Sequence, residues 1–347
     1  FVSNNFAITA KAITVTATAG QSKVYGTADP TLAYDITSGG PLLSGDAFTG
    51  SLGRTAGENI GTTYAINQGT LSAGSNYTIT FASNNFAITA KAITVTAAAG
   101  QSKVYGSADP TLAYTITSGG PLQTGDTFTG TLARAAGENI GTTYSINQGT
   151  LSAGSNYTIT FVPDNFAITA KPITVTATAG QSKVYGSADP LLAYTITSGG
   201  PLKTGDAFTG ALTRAAGENI GTTYAINQGT LSAGNNYTIT FVPDNFAITA
   251  KPITVTATAG QSKVYGSTDP TFAYSIISGG TLQTGDAFTG SLERAAGENI
   301  GTTYAINQGT LSAGDNYNIT FVSNNFAITA KAITVTATAG QSKVYGT

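Results

Sequence analysis

The sequence predicts an all-β chain, a linear array of small tandem β domains with at most one short helical turn in each. Three observations lead there. The stretch from Ile13 to Pro30 returns almost unchanged at Ile93, Ile173 and Ile253, always 80 residues on, and starts a fifth time before Thr347. Within it Ile13, Val15 and Ala17 alternate with Thr14, Thr16 and Thr18, the two-residue period of a strand with one buried face. No segment of the 347 residues holds a helical apolar period over three turns. A unit of 80 residues can bury a modest core of its own, whereas solenoid repeats of about 20–45 residues depend on their neighbours. Beads on a string are therefore expected, not a continuous β-helix.

The register divides the chain into repeats at 12–91, 92–171, 172–251 and 252–331. Residues 1–11 correspond to 81–91, the last strand of a truncated preceding repeat, and 332–347 to 12–27, the start of a truncated following one. The chain thus reads as a window from a longer array.

Along the first repeat, Gly20 ends the opening strand and Val24-Tyr25 gives a short extended piece. The segment from Gly26 to Pro30 supplies turn chemistry, proline fixing φ and aspartate bonding nearby backbone. Leu32, Tyr34 and Ile36 alternate as a second strand, which Ser38-Gly-Gly-Pro41 breaks. Leu42 to Asp46 is a tight or helical turn, Phe48 and Leu52 mark a third strand, and Tyr64 with Ile66 a fourth. Tyr77, Ile79 and Phe81 then alternate against Phe86, Ile88 and Ala90, with four residues between, and this reads as a hairpin; two copies carry Pro-Asp in the loop. The apolar phase changes between Ala90 and Ile93, so one unit hands over to the next across about two residues, Lys-Pro at two of the junctions. So short a link restricts swivelling and predicts a semi-rigid rod, on the order of 120–180 Å long for four beads.

Composition excludes several functions. With 15 basic and 17 acidic residues spread evenly, no basic stripe faces nucleic acid and no polybasic segment faces anionic lipid. No apolar run approaches the roughly 20 residues that span a bilayer, so no membrane insertion is expected in this segment. Cys, His, Met and Trp are all absent, which removes disulfides and the usual ligands of zinc, copper and haem. No cofactor, metal or catalytic residue is expected.

Carboxylates and aromatics remain. Asp29, Asp46 and Glu58 recur at every step, but in turn settings that favour structural work over a glycosidase-like pair. Oxygen ligands for calcium gather at Asp164-Asn165, Asp244-Asn245 and Asp315-Asn316, yet no D-x-[DN]-x-[DN]-G loop occurs. A Lys–Asn isopeptide bond with Glu58 as the assisting carboxylate is chemically conceivable. Tyr25, Tyr34, Tyr64 and Tyr77, with Phe48, Phe81 and Phe86, fit core packing better than a sugar platform. Asn76-Tyr-Thr78 is a glycosylation sequon that also reads as a turn asparagine before a strand. Differences between copies fall at Leu43/Gln123/Lys203/Gln283 and Gly53/Ala133/Thr213/Glu293, and mark no obvious pocket.

The order Ile-Thr-Val-Thr-Ala, Lys-Val-Tyr-Gly-x-x-Asp-Pro, Gly-Asp-x-Phe-x-Gly, Ala-Gly-Glu-Asn-Ile-Gly, Ile-Asn-Gln-Gly and Asn-Tyr-x-Ile-Thr-Phe resembles the MBG domain of the YGX type. That domain is found in tandem in very large bacterial surface and haemagglutinin-like adhesins. The likeness covers each whole repeat and is most specific at Lys23, Tyr25, Gly26, Asp29 and Pro30. It implies a β-grasp-like or sandwich-like domain of an extracellular or cell-surface protein, and no enzyme. The function expected is a stalk or fibre for adhesion or contact between cells. The alternative is a multivalent module whose repeats each bind a glycan or protein on a host or neighbouring cell. Low charge and Thr-rich strand faces also suggest self-association into filaments.

Overall fold

A computed structural model describes residues 4–347. Every strand belongs to one of four seven-strand sets, and no helix forms among the described residues. The chain makes two compact units, which meet in sequence at Lys171 and Pro172. The first set is β1 (Lys11–Ala17), β2 (Ser22–Val24), β3 (Tyr34–Ser38), β4 (Gly53–Arg54), β5 (Thr63–Asn67), β6 (Tyr77–Ala82) and β7 (Asn85–Thr89). The second is β8 (Lys91–Ala97), β9 (Ser102–Val104), β10 (Tyr114–Ser118), β11 (Ala133–Arg134), β12 (Thr143–Asn147), β13 (Tyr157–Val162) and β14 (Asp164–Thr169). Two equivalent sets follow between Lys171 and Thr329. Residues 4–10 and 332–347 are exposed and carry no strand. Residues 1–3, part of the expected leading fragment, lie outside the described residues.

Each set builds two small sheets, ordered β3-β1-β6 and β2-β7-β5-β4 in the first repeat. β1 lies in the middle of its sheet, antiparallel to β3 and parallel to β6. Its alternation does what the sequence requires: Ile13, Val15 and Ala17 point into the core while Thr16 Oγ1 meets Thr37 Oγ1 at 2.8 Å on the outer face. A bulge between Thr14 and Val15 shifts the β1/β3 register. There the chain turns at Gly39, where φ is +80° and a Cβ would strike the Ala12 carbonyl, so both conformation and space demand glycine. The second sheet pairs β7 antiparallel to β5 and parallel to β2, with β4 on the far side of β5.

The two sheets share one core of Ile13, Val15, Leu52, Ile66, Phe86 and their neighbours. Phe86 and its counterparts Phe166, Phe246 and Phe326 are wholly buried. Each such side chain contributes about 1.5–3 kcal/mol by leaving water.

Two local expectations are corrected, and one that left two kinds of turn open is resolved. Strands β6 and β7 are consecutive but unpaired: β6 joins β1 and β7 joins β5 and β2, so the expected hairpin is a corner between sheets. Both strands have an inward apolar face, and a shared core is enclosed by placing them on different sheets. The corner is pinned to both: Ser83 Oγ donates to the Ile66 carbonyl at 2.6 Å and Asn84 Nδ2 to that of Ala17 at 3.4 Å. Phe48 to Leu52 is not a strand but a single bridge, Thr49 to Ser72, ahead of the two-residue β4. Leu42 to Asp46 makes a hydrogen-bonded turn, Asp46 N to Leu43 O at 3.0 Å, and no helical turn.

Candidate functional site

The family-like segment from Lys23 to Pro30 serves two structures at once. One is a four-charge square inside each repeat. Lys23, on β2, reaches Asp29 at 2.6 Å and Glu58 at 2.8 Å. Arg54, on β4, donates Nε to Asp29 Oδ2 at 2.6 Å and Nη2 to both Asp29 Oδ1 and Glu58 Oε1. Its Nη1 serves the carbonyls of Thr55 and Gly57, so all five guanidinium donors are used. The guanidinium carbon lies 5.3 Å from the Tyr64 ring centre and 5.2 Å from that of Phe86, which joins the square to the core. The cations' side chains are only 6% and 7% exposed, whereas Asp29 and Glu58 remain 41% and 49% exposed, so water screens the carboxylate side. The same square recurs around Arg134, Arg214 and Arg294.

Protonation follows from these contacts. The Arg54 hydrogen bonds hold Asp29 down at about 2 against the opposing effect of burial, with Lys23 assisting. Lys23 holds Glu58 below its usual range, again against burial. Burial alone would lower the Lys23 ammonium, but its bonds to Asp29 and Glu58 raise it overall. An isopeptide bond needs a neutral amine and a protonated carboxyl; the square holds both groups charged. Asp29 and Glu58 both serve as ion-pair partners of the two cations.

The second structure is a latch between consecutive repeats. Within the first unit, Tyr25 OH donates to Asp126 Oδ2 of the next repeat at 2.9 Å, and Tyr157 OH donates to the same oxygen at 2.6 Å. The two rings stand edge to face, 5.4 Å between centres. Tyr157 OH also accepts the Gln123 N–H at 2.7 Å. Desolvation and the bond to Asp126 push the Tyr157 phenol up to about 12. A second contact runs the other way: Asn156 Oδ1 accepts the Ile60 N–H at 3.0 Å while its Nδ2 donates to Asn59 Oδ1 at 3.2 Å. Gly26 has φ +78°, and a Cβ there would overlap the Gln123 side chain, so the glycine after the tyrosine admits the neighbouring repeat.

The second unit repeats the latch, with Tyr185 and Tyr317 both on Asp286 at 2.9 and 2.6 Å and Asn316 on Ile220 N at 3.0 Å. Beside each latch is an open cleft, of about 270 Å³ at Lys23, Tyr25, Gly26, Thr27, Glu58 and Gln123 and about 260 Å³ at its counterpart.

Several expectations shift here. Tyr64 and Tyr77 are core residues, and Tyr34 is half-buried against Phe48. Tyr25 packs against its own core and also edge to face on Tyr157 of the next repeat. Asp46 accepts the Tyr77 hydroxyl at 2.7 Å, the pairing that its counterpart Asp126 extends across the junction. The sequon asparagine is exposed at Asn76 but latches at Asn156, and Asn316, which holds the same place without a sequon, latches likewise. Position 123, one of the scattered differences between copies, lines the latch cleft after all. Asp164 and Asp244 each accept the following residue's N–H at 2.6 Å, and no metal-holding acidic cluster exists among the described residues. Sequence reasoning passed over Arg54, although it is the sole arginine of its repeat and recurs at Arg134, Arg214 and Arg294.

Comparison with known proteins agrees with the repeat count. One solved structure, Drosophila N-cadherin EC1-4, is similar at 7% identity over 78% of this chain and 83% of that one, with a TM-score of 0.22 that carries no argument. No curated protein matches. The family model of the MBG domain (YGX type) matches residues 13–87, 93–167, 173–247 and 253–327. With its Lys, Tyr, Gly and Asp signature assigned to square and latch, the chain belongs to the MBG domain (YGX type) family, as four tandem copies.

Proposed function

We propose that this chain is a structural segment of an extracellular or cell-surface bacterial protein, a semi-rigid stalk or fibre that carries adhesion or cell contact. The latch carries the reading. It spends residues that a lone domain would not need on fixing one repeat against the next, and it is built alike in both units. The connection supports it, since only Ala90 separates β7 from β8 and only Ala250 separates Thr249 from the strand opening at Lys251. A hinged array of independent binding modules would call for a longer, flexible linker.

Small-angle scattering and electron microscopy of the 347-residue chain test this. The expected particle is a beaded rod on the order of 120–180 Å long, and a maximum dimension below about 80 Å would overturn the reading. A glycan array separates the rival module: specific, competable binding would assign these repeats to recognition instead of spacing.

A further inference from the structure

We infer that each repeat is a shear clamp, built to resist being pulled open through its two ends. The inference deepens the stalk reading, because a stalk in an adhesive contact is loaded along the chain. The chain enters the first repeat on β1 and leaves it on β7. β1 runs parallel to β6 through six residue pairs, from Lys11 with Tyr77 to Thr16 with Ala82. β2 runs parallel to β7 through Ser22 with Ala87, Lys23 with Ile88 and Val24 with Thr89. That second ladder is extended by Ala87 N to Gln21 O at 3.0 Å, Tyr25 N to Thr89 O at 2.8 Å and Thr89 Oγ1 to Lys23 O at 3.1 Å. Each strand of the entering segment therefore lies parallel to one strand of the leaving segment.

The corner between the leaving strands is a bend, not a reversal. In the second repeat β13 ends at Val162 and β14 begins at Asp164, which leaves a single residue, Pro163. One residue is shorter than the tightest common hairpin loop of two; in the first and third repeats two residues intervene, and there too the two strands lie on different sheets and do not pair. The leaving strand thus carries on past the corner, and entry and exit lie at opposite ends of the paired segments.

Tension drawn from the start of β1 and the end of β7 slides parallel ladders along their length. All bonds of a ladder then bear load together, whereas an antiparallel pair pulled from adjacent ends opens one bond at a time. The latch and the ion square lie next to the exit ladder: Tyr25 follows β2 and Lys23 belongs to it, so docking and charge pairing brace the strand that is loaded.

Pulling the intact chain by its two ends in a single-molecule instrument tests this. Four unfolding events are expected, each releasing at most roughly 280 Å of chain. The chain has no cysteine, so a double variant, Ala92→Cys with Ser118→Cys, provides unique handles for a second pulling direction. Both sites are exposed, and position 92 holds proline in two other copies, so folding tolerates change there. These handles sit at the start of β8 and the end of β10, an antiparallel pair in which Thr94 faces Ser118, and they unzip it. At one loading rate the end-pulled force should exceed the unzipping force by at least about twofold. Equal forces, or end-pulled repeats that yield first, would overturn the clamp. Failure of the stalk reading would appear separately, as a compact or swivelling particle with the force ratio intact.

Discussion

Residues 11–27 and 331–347 are the same seventeen amino acids, from Lys-Ala-Ile-Thr-Val-Thr-Ala to Tyr-Gly-Thr, yet they differ in structure. In the first copy they form β1 and β2, with Ile13 and Val15 at 1% and 0% exposure. In the last they carry no strand, and Ile333 and Val335 are 78% and 85% exposed. β1 is a central strand, bonded on one side to β3 and on the other to β6. Residues 332–347 are paired with no strand among the described residues. Alternation therefore makes a strand possible, and two partners arriving from about 20 and about 65 residues further on make it real.

The largest expected difference is in amide exchange. The Val15 amide should exchange at least about a thousandfold more slowly than the Val335 amide, since one opens only with its domain. Near-equal rates measured by mass spectrometry or NMR would mean that the repeated sequence, not its partners, sets local order.

Next in size is the charge square, which only a complete repeat can close. Arg54→Ala removes five hydrogen bonds and the stack on Tyr64 and Phe86, and should cost the first repeat about 2–3 kcal/mol. Calorimetry or denaturant titration reads this loss, and Lys343→Ala, in the exposed copy, should cost nothing. A loss under about 0.5 kcal/mol for Arg54→Ala would show that screening on the open side dominates.

Acid acts on the same square without mutation. The carboxyls of Asp29, Asp109 and Asp189 are held at about 2, below their ordinary 3.8. A carboxyl depressed on folding stabilises above its unfolded value and loses that contribution as pH falls through the folded one. Melting temperature should therefore decline mainly between about pH 4 and 2, and Asp29→Asn with Asp109→Asn and Asp189→Asn should flatten that slope. An unchanged slope would remove the square from acid stability.

The smallest effect isolates the latch. Tyr25→Phe deletes one hydroxyl bonded to Asp126 and should weaken coupling between the first two repeats by about 1 kcal/mol, with little change in either alone. Tyr345, at the same place in the copied segment, is fully exposed, and Tyr345→Phe should be silent. Equal effects from the two substitutions would dissolve the latch as a specific contact.

Much was legible in advance because it rests on short-range pattern. The 80-residue register, the inward sets Ile13/Val15/Ala17 and Tyr64/Ile66, and the turns at Gly20 and Gly39 all follow from alternation and from glycine's freedom at positive φ. The same pattern could not assign β6 and β7 to separate sheets, because a hairpin and a corner present the same alternation along the chain. Nor could it show the site. Lys23 meets Glu58 across 35 residues and Tyr25 meets Asp126 across 101, pairings that leave no periodic trace. What the sequence by itself determined was which residues face inward and where the unit repeats, since both depend only on neighbours a few positions away. Which strands pair, which tyrosine at the edge of its own core also holds the next repeat, and whether Ile-Thr-Val-Thr-Ala becomes a strand at all were decided by tertiary structure, because each needs a partner that distant sequence must bring into place.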